Sequence, residues 1–300
     1  MSVSLTSEEE IVEPLPETTP HETSWRVFVR RFLRSKPGVI GAAIVAILIV
    51  VALVAPLIAP YDPLYQDINS VTQAPGAKHL LGTDDLGRDE LSRIIFGSRV
   101  TLEASILSVG IALIIGVPLG LIAGYYRGFW DEWIIMRIVD ALQAFPFLIL
   151  ALAIAATLGP GLVHASIAIG IGFIPGFVRI VRGQVLSVAS QDYVLAAKLL
   201  GTRDIRILRS HVLPNSMAPL LVQTSVALAS VVLAEAALSF LGLGVQPPTA
   251  SWGQMLSVAQ GYINTAPWLA YWPGIAIFLA VLGFNLLGDG VRDALDPRLN

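Results

Sequence analysis

Three carboxylates, Glu103, Asp140 and Glu235, stand in or beside long apolar runs of this 300-residue chain. A charge inside a bilayer is costly, so an intramembrane carboxylate is by default a candidate for moving a proton, a cation or a cargo. All three fall near the ends of apolar runs, where a side chain can reach the interface at little cost. None sits at mid-depth, where a proton relay would need one. His164, beside Gly159-Pro160-Gly161, reads as an interfacial residue. The chain has no cysteine and four scattered histidines, a composition that excludes thiolate chemistry and argues against a His-based metal or catalytic centre. Asp84, Asp85, Asp89 and Glu90 crowd together, but they lack the alternating ligands and closing glutamate of a calcium loop. Turn and helix-cap chemistry accounts for them better. No phosphate cradle of the P-loop form occurs, so any ATP that drives this protein is bound by another chain. Nothing suggests nucleic-acid binding, a cofactor or a metal, and no catalytic group is assigned.

The other concentration of chemistry is 191–215, QDYVLAAKLLGTRDIRILRSHVLPN, which holds Lys198, Arg203, Arg206 and Arg209 between two very apolar regions. Asp192 is expected to cap a short helix, YVLAAKLL, that Gly201 ends as a left-handed C′ residue. TRDIRILRSHV forms a second helix, and Pro214 with Asn215 starts the following span. Ala196 and Ala197 are small enough to let a partner's backbone approach, and the arginines can pair with carboxylates or anionic lipid. A merely solvated connector does not explain so long an ordered-looking loop.

The elements that position these residues are membrane spans. Hydrophobic residues make up 55% of the chain and charged residues 14%, with mean hydropathy +0.72. A soluble domain carries about 25% charged residues. Apolar runs give span one at 38–60, span two at 101–124, span three from about 134, span four at about 164–180, span five at 217–241 and span six at about 268–287. The uncharged run 141–178 is too long for a single crossing, so Gly159-Pro160-Gly161 is a tight turn between two spans. Residues 1–23 are acidic and proline-containing and read as a disordered tail. Ser24 to Lys36 reads either as a short amphipathic helix in the headgroup region or as a basic flank marking the cytoplasmic side of span one. Leu91, Ile94 and Ile95 suggest a separate short helix beginning near Gly87, and 242–267 reads as an ordered loop or re-entrant turn. Six spans put both termini on one side. Fifteen of the 19 basic residues then lie on that side and four on the other, which makes it cytoplasmic.

AAKLLG followed by HVLPN resembles the cytoplasmic EAA loop of ABC-importer permeases, with Ala196, Ala197, Gly201, Leu213 and Pro214 in register. LGTDDLGRDELSRIIFGSR, the RGQ at Arg182, LSFLGLGVQPPTASWGQML and NLLGDGVRDALDPR are similar to the dipeptide/oligopeptide and nickel group, and its second permease subunit in particular. The resemblance departs from the pattern at Leu195, where the motif has Glu, and at His211, where it has Ile.

The resemblance implies an all-α integral membrane protein with the six-span type I importer fold in a prokaryotic inner membrane. It implies a first unit at 24–98, a permease domain at 99–290 with its coupling loop at 182–215, and a cytoplasmic tail at 291–300. Asp192, Tyr193, Leu195, Arg203, Arg206 and His211 would join the motif residues in contacting an ATPase. Leu195, taken as the third helical residue, would forgo a capping box. The implied partners are a second permease, two cytoplasmic ATPases, an extracytoplasmic binding protein and membrane lipid. Peptides are the expected cargo, with nickel or small oligosaccharides as alternatives. An ion-coupled secondary transporter using Glu103 or Glu235 is the rival class.

Overall fold

The computed structural model describes residues 24–295; the acidic stretch 1–23 and the last five residues lie outside them, and the expected disordered tail with them. The described residues form twelve α-helices, two π-helical segments and two short 3-10 turns. Five of the helices are long and apolar enough to cross a membrane, and a bent pair would make a sixth span.

Helix α1 (Ser24–Arg34) carries Phe28 and Phe32 one turn apart, with ring centroids 6.1 Å apart. Ser35 then caps α2 (Lys36–Ile58), its hydroxyl accepting from the Gly38 amide at 3.4 Å. Pro56 lies inside α2 and cannot donate to the Ala52 carbonyl. In lipid that acceptor has no water to turn to. The Nε–H of Arg99, on the next span, donates to it at 2.6 Å, so one guanidinium both repairs the break in α2 and ties two spans together.

The connection that follows is built on carboxylates used as turn and cap acceptors. Asp84 accepts from the amides of Leu86 and Arg88, each at 2.9 Å, and from Arg88 Nε at 2.6 Å. Asp89 accepts from the Ser92 amide at 2.8 Å and lies 2.9 Å from His79 Nδ1. That cap opens α3 (Glu90–Tyr125), a single helix of 36 residues. The separate short helix expected near Gly87 is therefore the first turns of the second span. Its polar start gave the impression of a break, but no proline or left-handed residue interrupts the chain between Glu90 and Thr101.

Beyond α3 a π-helical segment (Phe129–Ile135) leads into α4 (Met136–Gln143), and α5 (Phe147–Leu158) follows after a bend of 95°. The bend falls at Pro146, which favours extended backbone at Phe145. Alone, α5 is roughly 18 Å long, short of a hydrocarbon core of about 30 Å. Gly159 and Gly161 take positive φ of 89° and 142° in the turn before α6 (Leu162–Ala189). The 191–215 stretch follows as α7 (Asp192–Leu199), α8 (Asp204–Ile207), a π-helical turn (Leu208–Val212) and α9 (Leu213–Asn215). Then come α10 (Met217–Phe240), α11 (Trp252–Ala259) and α12 (Trp268–Leu295). The 242–267 region is thus ordered. Trp252 Nε1 donates to the Ile94 carbonyl at 3.0 Å, pinning α11 to the start of α3.

Helices in lipid gain little from hydrophobicity alone and associate where small residues let their backbones approach. The axis of the bundle is such a seam between α3 and α6. Gly116, Gly120 and Gly124 recur every four residues, and a Cβ on them would lie 2.8, 2.6 and 2.5 Å from the Cβ atoms of Phe177, Val181 and Val185. A second seam joins α2 to α12, where a Cβ on Gly38 would come within 2.7 Å of the Gly290 Cα.

Candidate functional site

The stretch 191–215 folds back onto one end of the bundle. Helix α7 opens with Gln191 in extended conformation as its cap residue, without a side-chain cap bond. Asp192 is already helical, which corrects the expected cap; its charge instead complements the dipole at the helix start. The register moves with it. Val194 is the third helical residue and is buried, whereas Leu195 is the fourth and is exposed. A glutamate at 195 would accordingly not stand at the capping-box position.

The end of α7 is a Schellman turn. The Gly201 amide donates to Lys198 O at 3.0 Å and the Thr202 amide to Ala197 O at 3.1 Å, with Gly201 at φ +76°. A Cβ on Gly201 would meet nothing within 4 Å. Glycine is therefore required by the backbone there, while the surface around it is open.

Several contacts fasten this stretch to the spans. Val194, Ile207, Leu208 and Val212 are buried in the same apolar cluster as Val181 and Val185 of α6. Tyr125 and Tyr126, at the end of α3, donate their hydroxyls to the two Asp204 carboxylate oxygens at 2.7 and 3.3 Å. Burial and then the Asp204 charge push the Tyr126 phenol above its ordinary value, so it stays a donor. Lys198 Nζ sits 5.6 Å from the centre of the Tyr125 ring. Asn215 Nδ2 donates to the Tyr193 hydroxyl at 3.2 Å and to the His211 carbonyl at 2.6 Å. Leu213 packs partly into the core and Pro214 is exposed. Pro214 lies in α9, one turn ahead of α10, because buried Ser216 separates the two helices. The second helix expected after Gly201 is α8 and α9 joined by the wider π turn. Beneath it, Arg182 of the RGQ motif grips buried Asp131 through two bonds of 2.7 and 2.6 Å.

The outward side presents Ala196, Gly201, Arg203 and Arg206, as expected, with Ala197 half-buried. It also presents three residues the sequence reading did not single out: Leu199, Leu200 and Ile205 are 89%, 87% and 70% exposed. The signal was present, since 194–200 holds more large apolar residues than one core-facing stripe can use. Leu199, Leu200 and Ile205 thus form an exposed apolar patch among charged residues, the kind of surface that marks interaction sites.

The three candidate carboxylates are not brought together. Glu103 is exposed on α3 beside a cavity of about 640 Å³ that Arg99 also lines. Asp140, at the end of α4, accepts from Arg179 Nη2 of α6 at 2.6 Å. Glu235 is 1% exposed and accepts from Ser239 Oγ at 2.7 Å. That overturns the expectation that Glu235 reaches the interface. Helix α11 lies across this part of α10, with Gly253 against the Ala236 backbone.

The family described as "Binding-protein-dependent transport system inner membrane component" matches residues 116–300. The chain belongs to that family. The "N-terminal TM domain of oligopeptide transport permease C" matches residues 23–75 of this inner-membrane component. It is 43% identical over 295 residues to the dipeptide transport system permease protein DppC of Alkalihalophilus pseudofirmus, covering 96% of this chain and 97% of that one. It is 46% identical over 278 residues to the glutathione transport system permease protein GsiD of Pectobacterium atrosepticum, covering 92% of each. The di/tripeptide transport system permease protein DppC of Pseudomonas aeruginosa is 48% identical over 245 residues, with 80% of each chain covered. Inward-facing structures of the MetNI methionine ABC transporter share the fold. In one crystal form the TM-score is 0.57 at 20% identity, with 69% of this permease and 98% of that chain covered. The all-α architecture is thus that of a type I importer permease.

Proposed function

We propose that this permease subunit carries di- or oligopeptides inward, driven by ATPase subunits that dock on 191–215. The observation that carries the reading is the pairing of an exposed apolar platform, Leu199, Leu200 and Ile205, with anchors that make it one body with α3 and α6. An ATPase that moves the platform moves the spans with it, which biases an alternating-access equilibrium. Ala196 and Gly201 allow close approach, Leu195 packs on an apolar part of the partner, and Arg203 and Arg206 supply polar contacts. Tyr193 and His211 brace the platform from beside α9.

The basic end faces the cytoplasm, as the distribution of lysine and arginine supports. Both termini are then cytoplasmic, with 24–98 forming the N-terminal unit and 99–290 the permease domain. A second permease completes the pathway, two ATPases supply the energy, an extracytoplasmic binding protein delivers cargo, and bilayer lipid surrounds the spans. The peptide cargo follows the relatives that are dipeptide, di/tripeptide and glutathione permeases. Vesicles containing the complete importer should take up labelled dipeptide only with ATP and the binding protein, and uptake should survive a protonophore and sodium ionophore. Uptake that collapses with the ion gradients and ignores ATP would instead establish a secondary transporter.

A further inference from the structure

One face of α6 carries Gly172, Gly176, Arg179 and Gly183, at helical spacings of four, three and four residues. The Gly172 position abuts the ring of Phe147, the first residue of α5. A Cβ on Gly176 would meet only Gln223 Nε2, at 3.5 Å, and one on Gly183 nothing within 4 Å. Along this face, then, the chain passes from the 95° bend between α4 and α5 to open space at the basic end. The open space is a cavity of about 570 Å³ between α6, α10 and α12. Arg179, Gln184, Gln223 and Arg292 line it, and no carboxylate is among the residues that do. Asp293, the neighbour of Arg292, is turned away and accepts from Ser35 Oγ at 3.3 Å.

Arg179 has its counter-charge outside that lining. A single nitrogen, Nη2, meets Asp140 Oδ1 at 2.6 Å, and both side chains are about half exposed, at 48% and 57%. A guanidinium offers five donors in a planar fork suited to a two-pronged carboxylate contact, and this pair uses one prong. Residues 140, 141 and 143–146 are all exposed. Non-helical backbone at membrane depth is tolerated where it faces protein or a water-filled path rather than lipid, and broken helices mark binding sites in transporters.

We propose that Arg179, Gln223 and Arg292 bind the carboxylate of the cargo at the inner mouth of the pathway, and that Asp140 occupies Arg179 as a built-in anion in its absence. The proposal rests on reading the chain as an importer subunit with its basic end in the cytoplasm. Dipeptides and glutathione both carry a free terminal carboxylate, and two guanidiniums with carboxamides recognise that group. When the cargo takes Arg179, Asp140 is released and the end of α4 is freed at the bend. Arrival of cargo is thereby coupled to movement of the broken span. A lipid phosphate has related chemistry and could reach the same cavity from the inner leaflet.

The test uses the complete permease–ATPase complex in nanodiscs without binding protein. The probe is alanyl-alanine or glutathione, whichever the wild-type importer takes up with ATP, set against its C-terminal amide. Arg179→Gln should weaken binding of the free acid roughly tenfold, the loss of one charge-assisted pair, and leave the amide unchanged. Asp140→Asn should strengthen binding of the acid severalfold, since it removes the competing anion. A purely structural pair predicts shifts of the same sign in both variants, so same-sign shifts, or no shift in either, overturn the proposal. So does equal binding of acid and amide. Binding that falls as phosphatidylglycerol is added, with both variants altering lipid retention only, assigns the cavity to lipid phosphate and also overturns it. In all these cases the importer reading stands as long as the wild type shows ATP-dependent uptake. Loss of that uptake in the wild type would remove the reading itself and the proposal with it.

Discussion

Gly201→Glu should reach the membrane at close to the wild-type level while ATP-dependent uptake falls roughly tenfold or more, the size expected when an unpaired charge is buried at a docking surface. The two effects separate because of what surrounds the residue. A Cβ at 201 clashes with nothing, so the fold bears only the cost of a non-glycine residue at φ +76°, about 1–2 kcal/mol. The bundle stays intact beneath it, since Val194, Ile207 and Val212 keep their places in the core. What changes is the open face, where a charged side chain would project between Leu200 and Arg203 and hold the partner off. Gly201→Asn supplies the control. Asparagine tolerates the left-handed region, so it should retain most uptake if the backbone is the glycine's main requirement. Immunoblots of membranes together with vesicle uptake decide both points. Full transport by Gly201→Glu would remove this surface from the coupling path.

Gly120→Val is expected to act in the opposite way, by removing the protein itself. A Cβ there would lie 2.6 Å from the Val181 Cβ and 2.8 Å from the Val178 carbonyl oxygen. The obstacle is backbone and a β-branched carbon, neither of which can rotate aside. Overpacking ordinarily costs about 1–3 kcal/mol, and a β-branched residue in this seam belongs at or above the upper end. Because α3 and α6 also hold the 191–215 stretch through Tyr125 and Val185, parting them loosens that stretch as well. The amount of folded chain extracted in mild detergent should drop severalfold, and the survivors should unfold at lower temperature. The same change at Gly110, where a Cβ would meet nothing within 4 Å, should be nearly silent.

Much of this architecture could be read from the residue order because lipid imposes strong rules. Long uncharged runs placed the spans, Gly159-Pro160-Gly161 placed the turn between two of them, and the glycine after AAKLL foretold the left-handed end of α7. Three features were hidden, each for a physical reason. The 95° bend between α4 and α5 falls at Pro146, which acts on the residue before it, and hydropathy averaged over a window does not register a bend. Glu235 looked interfacial because it lies near the end of an apolar run, whereas α11, in a stretch whose Gly, Pro and Ser content read as a loop or re-entrant turn, folds back against α10 beside it. Asp204 looked like one more solvated charge, although it receives hydroxyls from Tyr125 and Tyr126, some 80 residues earlier. Pairings over such separations leave no periodic trace. The exposure of Leu199 and Leu200 was legible only as a surplus of apolar residues in 194–200, and the burial of Val194 in the core decides which of them are left outside.

Absence of cysteine from the 300-residue sequence permits the most direct test of the central claim, that an ATPase docks on this platform. A single Leu200→Cys places one thiol at its exposed centre, and Leu57→Cys places one at a span position that is 86% exposed. In membranes containing the whole importer, a short thiol-to-amine cross-linker should join Leu200→Cys to the ATPase chain, with a yield that changes when ATP is trapped by vanadate. The Leu57→Cys thiol should give no such product. An ATPase adduct at 57 and none at 200, with uptake intact in both variants, would contradict the account.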